Sequence, residues 1–154
     1  MIGSNETIAY KRSRFSTRLP RHYRYTQAHF WIAGEDDGLL RVGLTKFATR
    51  MLGDLVETGI EVPLGNRIQI GDVIGFIECL KAASDLYAVV EGEVTAFNEA
   101  LNESPQWLVK DGYGKGWLYE VRGTGEPKAL DAEGYAAFLD QTIDRMIGEG
   151  YDEP

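Results

Sequence analysis

The stretch FIECLKAASDLYAVVEGEV, residues 76–94, sets one lysine between two apolar runs, and its reading decides the fold. Alternation of period two through IGFIECL places Ile74, Phe76, Glu78 and Leu80 on one face of a strand and Ile77 and Cys79 on the other, with Lys81 next in the second series. On that pattern Cys79 and Lys81 point the same way. Ala82, Ala83, Ser84 and Asp85 are small or turn-forming, so the chain can reverse there and leave Lys81 uncrowded at the crest of a hairpin. Most lysines are solvated surface groups and nothing more. An amine used for Schiff-base chemistry needs burial or a cationic neighbour, whereas the sequence neighbours here are the carboxylates Glu78 and Asp85. A lysine acylated by a second enzyme needs the opposite setting: a crest narrow enough to enter a foreign active site, with fixed acidic landmarks beside it.

The surroundings of this hairpin repeat its pattern. HFWIA, LLRVGL, DLVETGIEV, NRIQIGDVIGFIECL, DLYAVV, GEVTAF and GWLYEV follow one another between Tyr25 and Val121, broken by glycines, which predicts many short strands in a small barrel or sandwich. LGDLVE (52–57) and IGDVIG (70–75) form a weak internal echo, each with Gly-Asp before an aliphatic strand. Three helical pieces interrupt the strands. Thr45 is placed to cap KFATRML before Gly53, and Ser104-Pro105 carries the same start signal for QWLVK. After Asp131, the helical spacing of Tyr135, Phe138, Leu139, Ile143, Met146 and Ile147 predicts a C-terminal helix over 131–147, with a frayed tail at 149–154.

With 154 residues, 44% hydrophobic and 26% charged, the chain has the makings of one domain with its own core. No apolar stretch is long enough to suggest a membrane span, and the start MIGSNETIAYKRSR lacks the apolar middle of a secretory signal. One cysteine and two histidines leave no disulfide and make a metal cage an unsuitable expectation. Residues 1–30 carry six cations against Glu6 alone, net +5, so with -8 for the whole chain the remainder holds -13. Such a body repels nucleic acid, and its basic head, residues 1–22, reads as an arm laid along the acidic domain of 23–148. An Arg- and Ser-rich head also suits a mitochondrial presequence, so the compartment read from sequence is the cytoplasm, with the mitochondrial matrix as alternative.

ECLKAASD, then GEVTAFNEALNESP, then DGYGKGWLYEV, resembles the glycine cleavage system H protein family, and the similarity extends through RYTQAHFW, VGLTKFA and LGD upstream and LDAEGY downstream. The resemblance implies a mainly β barrel-sandwich hybrid of the lipoyl-domain type with flanking helices and a C-terminal helix. It implies lipoate in amide linkage to Lys81, with Glu78, Ala82 and Asp85 as the surroundings recognised by a lipoate ligase or lipoyl transferase. Biotin carriers place their lysine between methionines; Leu80 and Ala82 stand there instead. The implied role is that of a carrier, not an enzyme: the cofactor supplies the chemistry, and tethering makes successive encounters effectively intramolecular.

Departures from the family pattern leave the pathway open. Phe30 replaces the acid of His-Glu-Trp, Cys79 replaces a serine, Gly112 replaces a proline, and the basic head is added. Two cargoes remain in view: the aminomethyl group passed between glycine cleavage enzymes and a flavin dihydrolipoamide dehydrogenase, or sulfur carried for a heterodisulfide-reductase-like complex, as in the H-protein-like lipoate-binding proteins. A third reading is an unlipoylated interaction module. Cys79 reads as a small buried hydrophobe, with thiol exchange against the arm as a secondary idea.

Overall fold

The computed structural model describes residues 6–34, 37–151 and 154. A hairpin of β1 (Thr7–Arg12) and β2 (Phe15–Pro20) opens the chain. Next come β3 (Arg24–Tyr25), β4 (Phe30–Gly34), β5 (Leu39–Leu44), α1 (Lys46–Leu52), β6 (Leu55–Ile60), β7 (Arg67–Ile68), β8 (Val73–Cys79), β9 (Ala83–Tyr87) and β10 (Val90–Phe97). The short helices α2 (Ala100–Glu103) and α3 (Trp107–Lys110) precede β11 (Trp117–Gly125) and the long α4 (Ala132–Gly148).

Strands β3-β4-β5-β11-β10-β7 form one sheet and β6-β8-β9 a second. Val42, Leu118 and Val121 from the first meet Leu55, Ile74, Ile77, Cys79 and Leu86 from the second in one apolar core, the barrel-sandwich arrangement of lipoyl domains. Alternation explains the pairing: in β10, Val90 and Val94 point inward while Glu91 and Glu93 face water. Each such burial removes apolar surface worth about 1.5–3 kcal/mol per large aliphatic side chain. Gly92, at φ 142°, lies opposite Gly123, and a Cβ on it would overlap the Arg122 carbonyl, so the strands can approach there only without side chains. The two echo segments supply β6 and β8, which pair with each other antiparallel.

One detail of the strand pattern differs. Ile74 and Ile77 were expected on opposite faces, yet both are buried, because the β8–β9 register shifts between Val73 and Gly75 and turns Ile74 inward.

Local signals set the helix ends. The Thr45 hydroxyl accepts the Ala48 amide, and α1 ends at Gly53 with φ 79°. Asp131 accepts the Gly134 amide at the start of α4. Ser104 does not cap α3: it terminates α2, and the α3 N-cap position is Gln106, whose side chain makes no capping bond and donates instead to the Leu55 carbonyl. The chain beyond α4 does not fray at once, since Gly150, at φ 87°, allows its own amide and that of Tyr151 to bond the carbonyls of Ile147 and Met146. Residues 152 and 153 of the expected tail lie outside the described residues.

A second apolar cluster lies under α4. Tyr135, Leu139 and Ile143, one helical stripe, pack with Phe15 and Leu19 of the hairpin and with Tyr25, Trp31 and Phe47. Tyr25 and Tyr135 stack with ring centroids 4.8 Å apart, and Tyr25 exchanges backbone bonds with Leu130 just before α4. The hairpin of β1 and β2 is therefore part of the packed structure.

Candidate functional site

The hairpin of β8 and β9 closes with the pair Glu78–Ala83, beyond which the Cys79 amide donates to the Ala82 carbonyl at 2.8 Å. That leaves Leu80 and Lys81 as a two-residue connection. The Leu80 amide donates to the Asp54 carbonyl at 3.0 Å and fixes the turn to the segment before β6. Leu80 is 74% exposed, Lys81 is exposed, and Lys81 forms no hydrogen bond or ion pair with any described residue. Small residues, Ala82, Ala83 and Ser84, follow it. An extended group on the Lys81 amine would therefore meet open solvent, so the residues present fit a covalently tethered arm.

Register places the acidic neighbours. Phe76 opposes Asp85 and Glu78 opposes Ala83, so Glu78 and Asp85 form a diagonal pair on one face of the hairpin. Glu57 of β6 joins them, directly opposite Glu78. Ala82 lies at the turn itself. Cys79, by contrast, is 8% exposed within the core, and burial, then the Glu78 charge, pushes its thiol pKa up. The expectation that Cys79 and Lys81 share a face is corrected here: β8 ends at Cys79, so strand alternation does not reach the lysine.

Beside the hairpin is a cleft of about 250 Å³, lined by Phe30, Leu44, Met51, Ile77 and Leu86 among others, with Asp85 the sole carboxylate in its lining. His29 also borders it. This residue adopts φ 72°, a left-handed conformation uncommon outside glycine, and is held there by its Nδ1, 2.8 Å from the Tyr135 hydroxyl. The Tyr135 hydroxyl in turn lies 2.9 Å from that of Thr45. Burial lowers the His29 pKa to about 4, leaving the imidazole neutral near pH 7.

Sequence reading missed Glu57 and the His29–Tyr135–Thr45 chain. The position of Glu57 depends on a register shift between Leu55 and Glu57, and Tyr135 reaches His29 across 106 residues of sequence. Neither has a local signal.

A sandwich of two sheets with an exposed lysine on a tight β-turn defines the class, a lipoyl-type carrier domain. Residues 23–141 match the family model described as Glycine cleavage H-protein, and the chain belongs to that family. It is similar to the glycine cleavage system H proteins of Shewanella sp. (strain ANA-3) and Shewanella oneidensis, each 42% identical over 129 residues, covering 81% of this chain and 98% of theirs. It also resembles the crystal structure of a glycine cleavage system H protein from Mycobacterium marinum, with a TM-score of 0.70 and 34% identity over 80% of this chain and 98% of that one. Proteins of this family carry lipoate covalently on a lysine and serve glycine cleavage as carriers without catalytic activity of their own.

Proposed function

We propose that Lys81 is the lipoyl attachment site, that Glu78, Ala82 and Asp85 guide the ligase or transferase that modifies it, and that the chain carries the aminomethyl group of glycine cleavage. Its partners on this reading are the glycine cleavage enzymes and a flavin dihydrolipoamide dehydrogenase, and its compartment is the cytoplasm, as suits its bacterial relatives. The observation that carries the reading is the exposed, unpartnered Lys81 on its two-residue turn.

When bound, the lipoyl group supplies the sulfur chemistry of transfer and redox. The chain's own contribution is positional. The sheet pairing of β8 with β6 and β9 holds the turn rigid, the acidic face of Glu78 and Asp85 gives the modifying enzyme a fixed bearing, and the neighbouring cleft offers apolar cover to an alkyl chain. Tethering raises the effective concentration of cargo at each partner.

One observation favours the second cargo, sulfur for a heterodisulfide-reductase-like complex. Phe30 lines the cleft, His29 beside it is neutral, and Asp85 is left as the one carboxylate able to favour a cationic aminomethyl cargo over an uncharged one.

The test has two stages. Intact mass after incubation with lipoate, ATP and a lipoate ligase should rise for the wild type and stay constant for Lys81→Arg; an unchanged wild-type mass, or an increase surviving the substitution, overturns the assignment. The lipoylated protein should then accept the aminomethyl group from glycine decarboxylase, and refusal would favour the sulfur cargo.

A further inference from the structure

The family match begins at residue 23, yet residues 7–20 build the β1–β2 hairpin, and Arg12, Arg21, Lys11 and Arg18 divide into two sets. Arg12 grips Asp144 with two bonds of 2.8 and 2.7 Å and lies 3.3 Å from Asp140, while Arg21 reaches Glu133 at 3.0 Å. These charges orient the hairpin against α4. Lys11 and Arg18 are exposed and make no ion pair with any described residue.

With Lys46 at the start of α1 and Lys110 at the end of α3, Lys11 and Arg18 line an open groove of about 630 Å³. The carboxylate in its lining, Asp111, accepts the Lys115 amide at 3.0 Å, which orients it and leaves its charge in place. The Lys46 ammonium donates to the Ser16 carbonyl at 2.6 Å, which fixes its position without neutralising it. Four cations thus converge with a single carboxylate, leaving the lining net positive in a chain whose net charge is -8.

The groove also leads to the lysine turn. Lys46 and Val109 border a second depression together with Arg50, Asp54 and Leu55, and the Asp54 carbonyl is the acceptor of the Leu80 amide. Apolar side chains stand out along this path: Val109 on α3 is 55% exposed and Leu80 at the turn 74%. Exposed apolar groups rimmed by charge mark interaction surfaces, and a patch of one sign favours a partner of the other.

We infer that the face running from this groove to the Lys81 turn docks a carboxylate-rich, partly apolar segment of the protein that services the lysine. The inference rests on the reading of Lys81 as the modified residue. Charge complementarity selects the acidic component, and the exposed Val109 and Leu80 select a polypeptide. A nucleic acid would satisfy the cations alone, and the acidic body would oppose so dense a polyanion. The charges act mainly on encounter rate and orientation, bringing the partner down with its active site over the turn.

The test titrates the isotope-labelled full chain with three probes, a short Glu/Leu peptide, pyrophosphate and a single-stranded DNA oligomer, and follows amide shifts by NMR. The peptide should perturb residues 11, 18, 46, 110 and 113 together with 80, and the double variant Lys11→Glu/Arg18→Glu should bind it about tenfold or more weakly. Both residues are exposed, and an unchanged urea midpoint will show that the variant is folded. Scattered shifts, equal binding by the double variant, or tighter groove binding of pyrophosphate or DNA overturn the inference. Intact-mass lipoylation of the same samples reads the Lys81 assignment separately, so a lipoylated protein without groove binding overturns the docking surface alone.

Discussion

Glu57 stands directly opposite Glu78 across the antiparallel β6–β8 pair, two carboxylates facing each other at the base of the lysine hairpin. Like charges so placed destabilise a sheet, and cross-strand pairs of this kind are worth roughly 0.2–1 kcal/mol. Glu57→Thr should therefore raise stability by about that amount. The gain should shrink in high salt, as urea midpoints at two ionic strengths would register. If Glu78 is the residue a lipoylating enzyme reads, Glu78→Ala should slow modification while Glu57→Thr leaves it unchanged. Equal slowing by both would point instead to recognition of the summed charge.

His29 gives the fold a pH dependence of defined sign. Its pKa is about 4 when folded and near 6.5 unfolded, so between these values the unfolded chain takes up a proton that the folded chain refuses. The stability in question is complete above about pH 6.5 and drains away as pH falls towards 4, with an upper size of about 3 kcal/mol. The Arg12 guanidinium bonded to Asp144 holds that carboxyl below its usual value, so loss of that pair belongs to still lower pH. His29→Asn, which tolerates the left-handed backbone, should be less stable at pH 7 for want of the Tyr135 bond. Its stability should also fall less steeply between pH 6.5 and 4 than that of the wild type, and parallel curves would remove His29 as the cause.

The core of the fold was open to sequence reading because its signals are local. Period-two runs, turn glycines, the Thr45 cap and the helical spacing after Asp131 each act within a few residues, and each acts in the structure, whereas the Ser104 start signal does not. The lysine crest was legible for the same reason. What escaped depends on register or on distant partners: the shift at Val73–Gly75 that turns Ile74 inward, the pairing that sets Glu57 against Glu78, and the reach of Tyr135 to His29. The groove of Lys11, Arg18, Lys46 and Lys110 gathers residues from three separate segments, and no window of sequence holds them together.

Burial of Cys79 makes its chemistry measurable. The thiol lies in the core and burial raises its pKa, so the reactive thiolate is scarce and shielded. A disulfide reagent should label the native protein slowly and the urea-unfolded protein quickly. The lipoylated wild type and Cys79→Ser should then show the same redox behaviour. A mixed disulfide between Cys79 and the arm, trapped in the wild type and missing from the variant, would show that the hairpin opens far enough to expose the thiol.

Phe15 is the apolar anchor of the N-terminal hairpin: it is fully buried, 5.4 Å between ring centroids from Phe47 in an edge-on contact, with the Lys46 and Arg50 cations 5.8 and 5.7 Å from its ring centre. Arg12, whose grip on Asp144 is exposed to solvent, contributes mainly orientation. Removing the ring should cost about 3–5 kcal/mol where the site cannot collapse. The loss is capped by the free energy of detaching β1–β2, since the hairpin can leave the body before the sandwich unfolds. Phe15→Ala should thus expose the Ser13–Arg14 turn to trypsin much faster than wild type, while the urea midpoint of the sandwich falls by less than the full cavity cost. Arg12→Ala should barely move either measurement. Cleavage at the same rate in Phe15→Ala and wild type would mean that the ion pairs to α4, and not the aromatic contact, hold the hairpin in place.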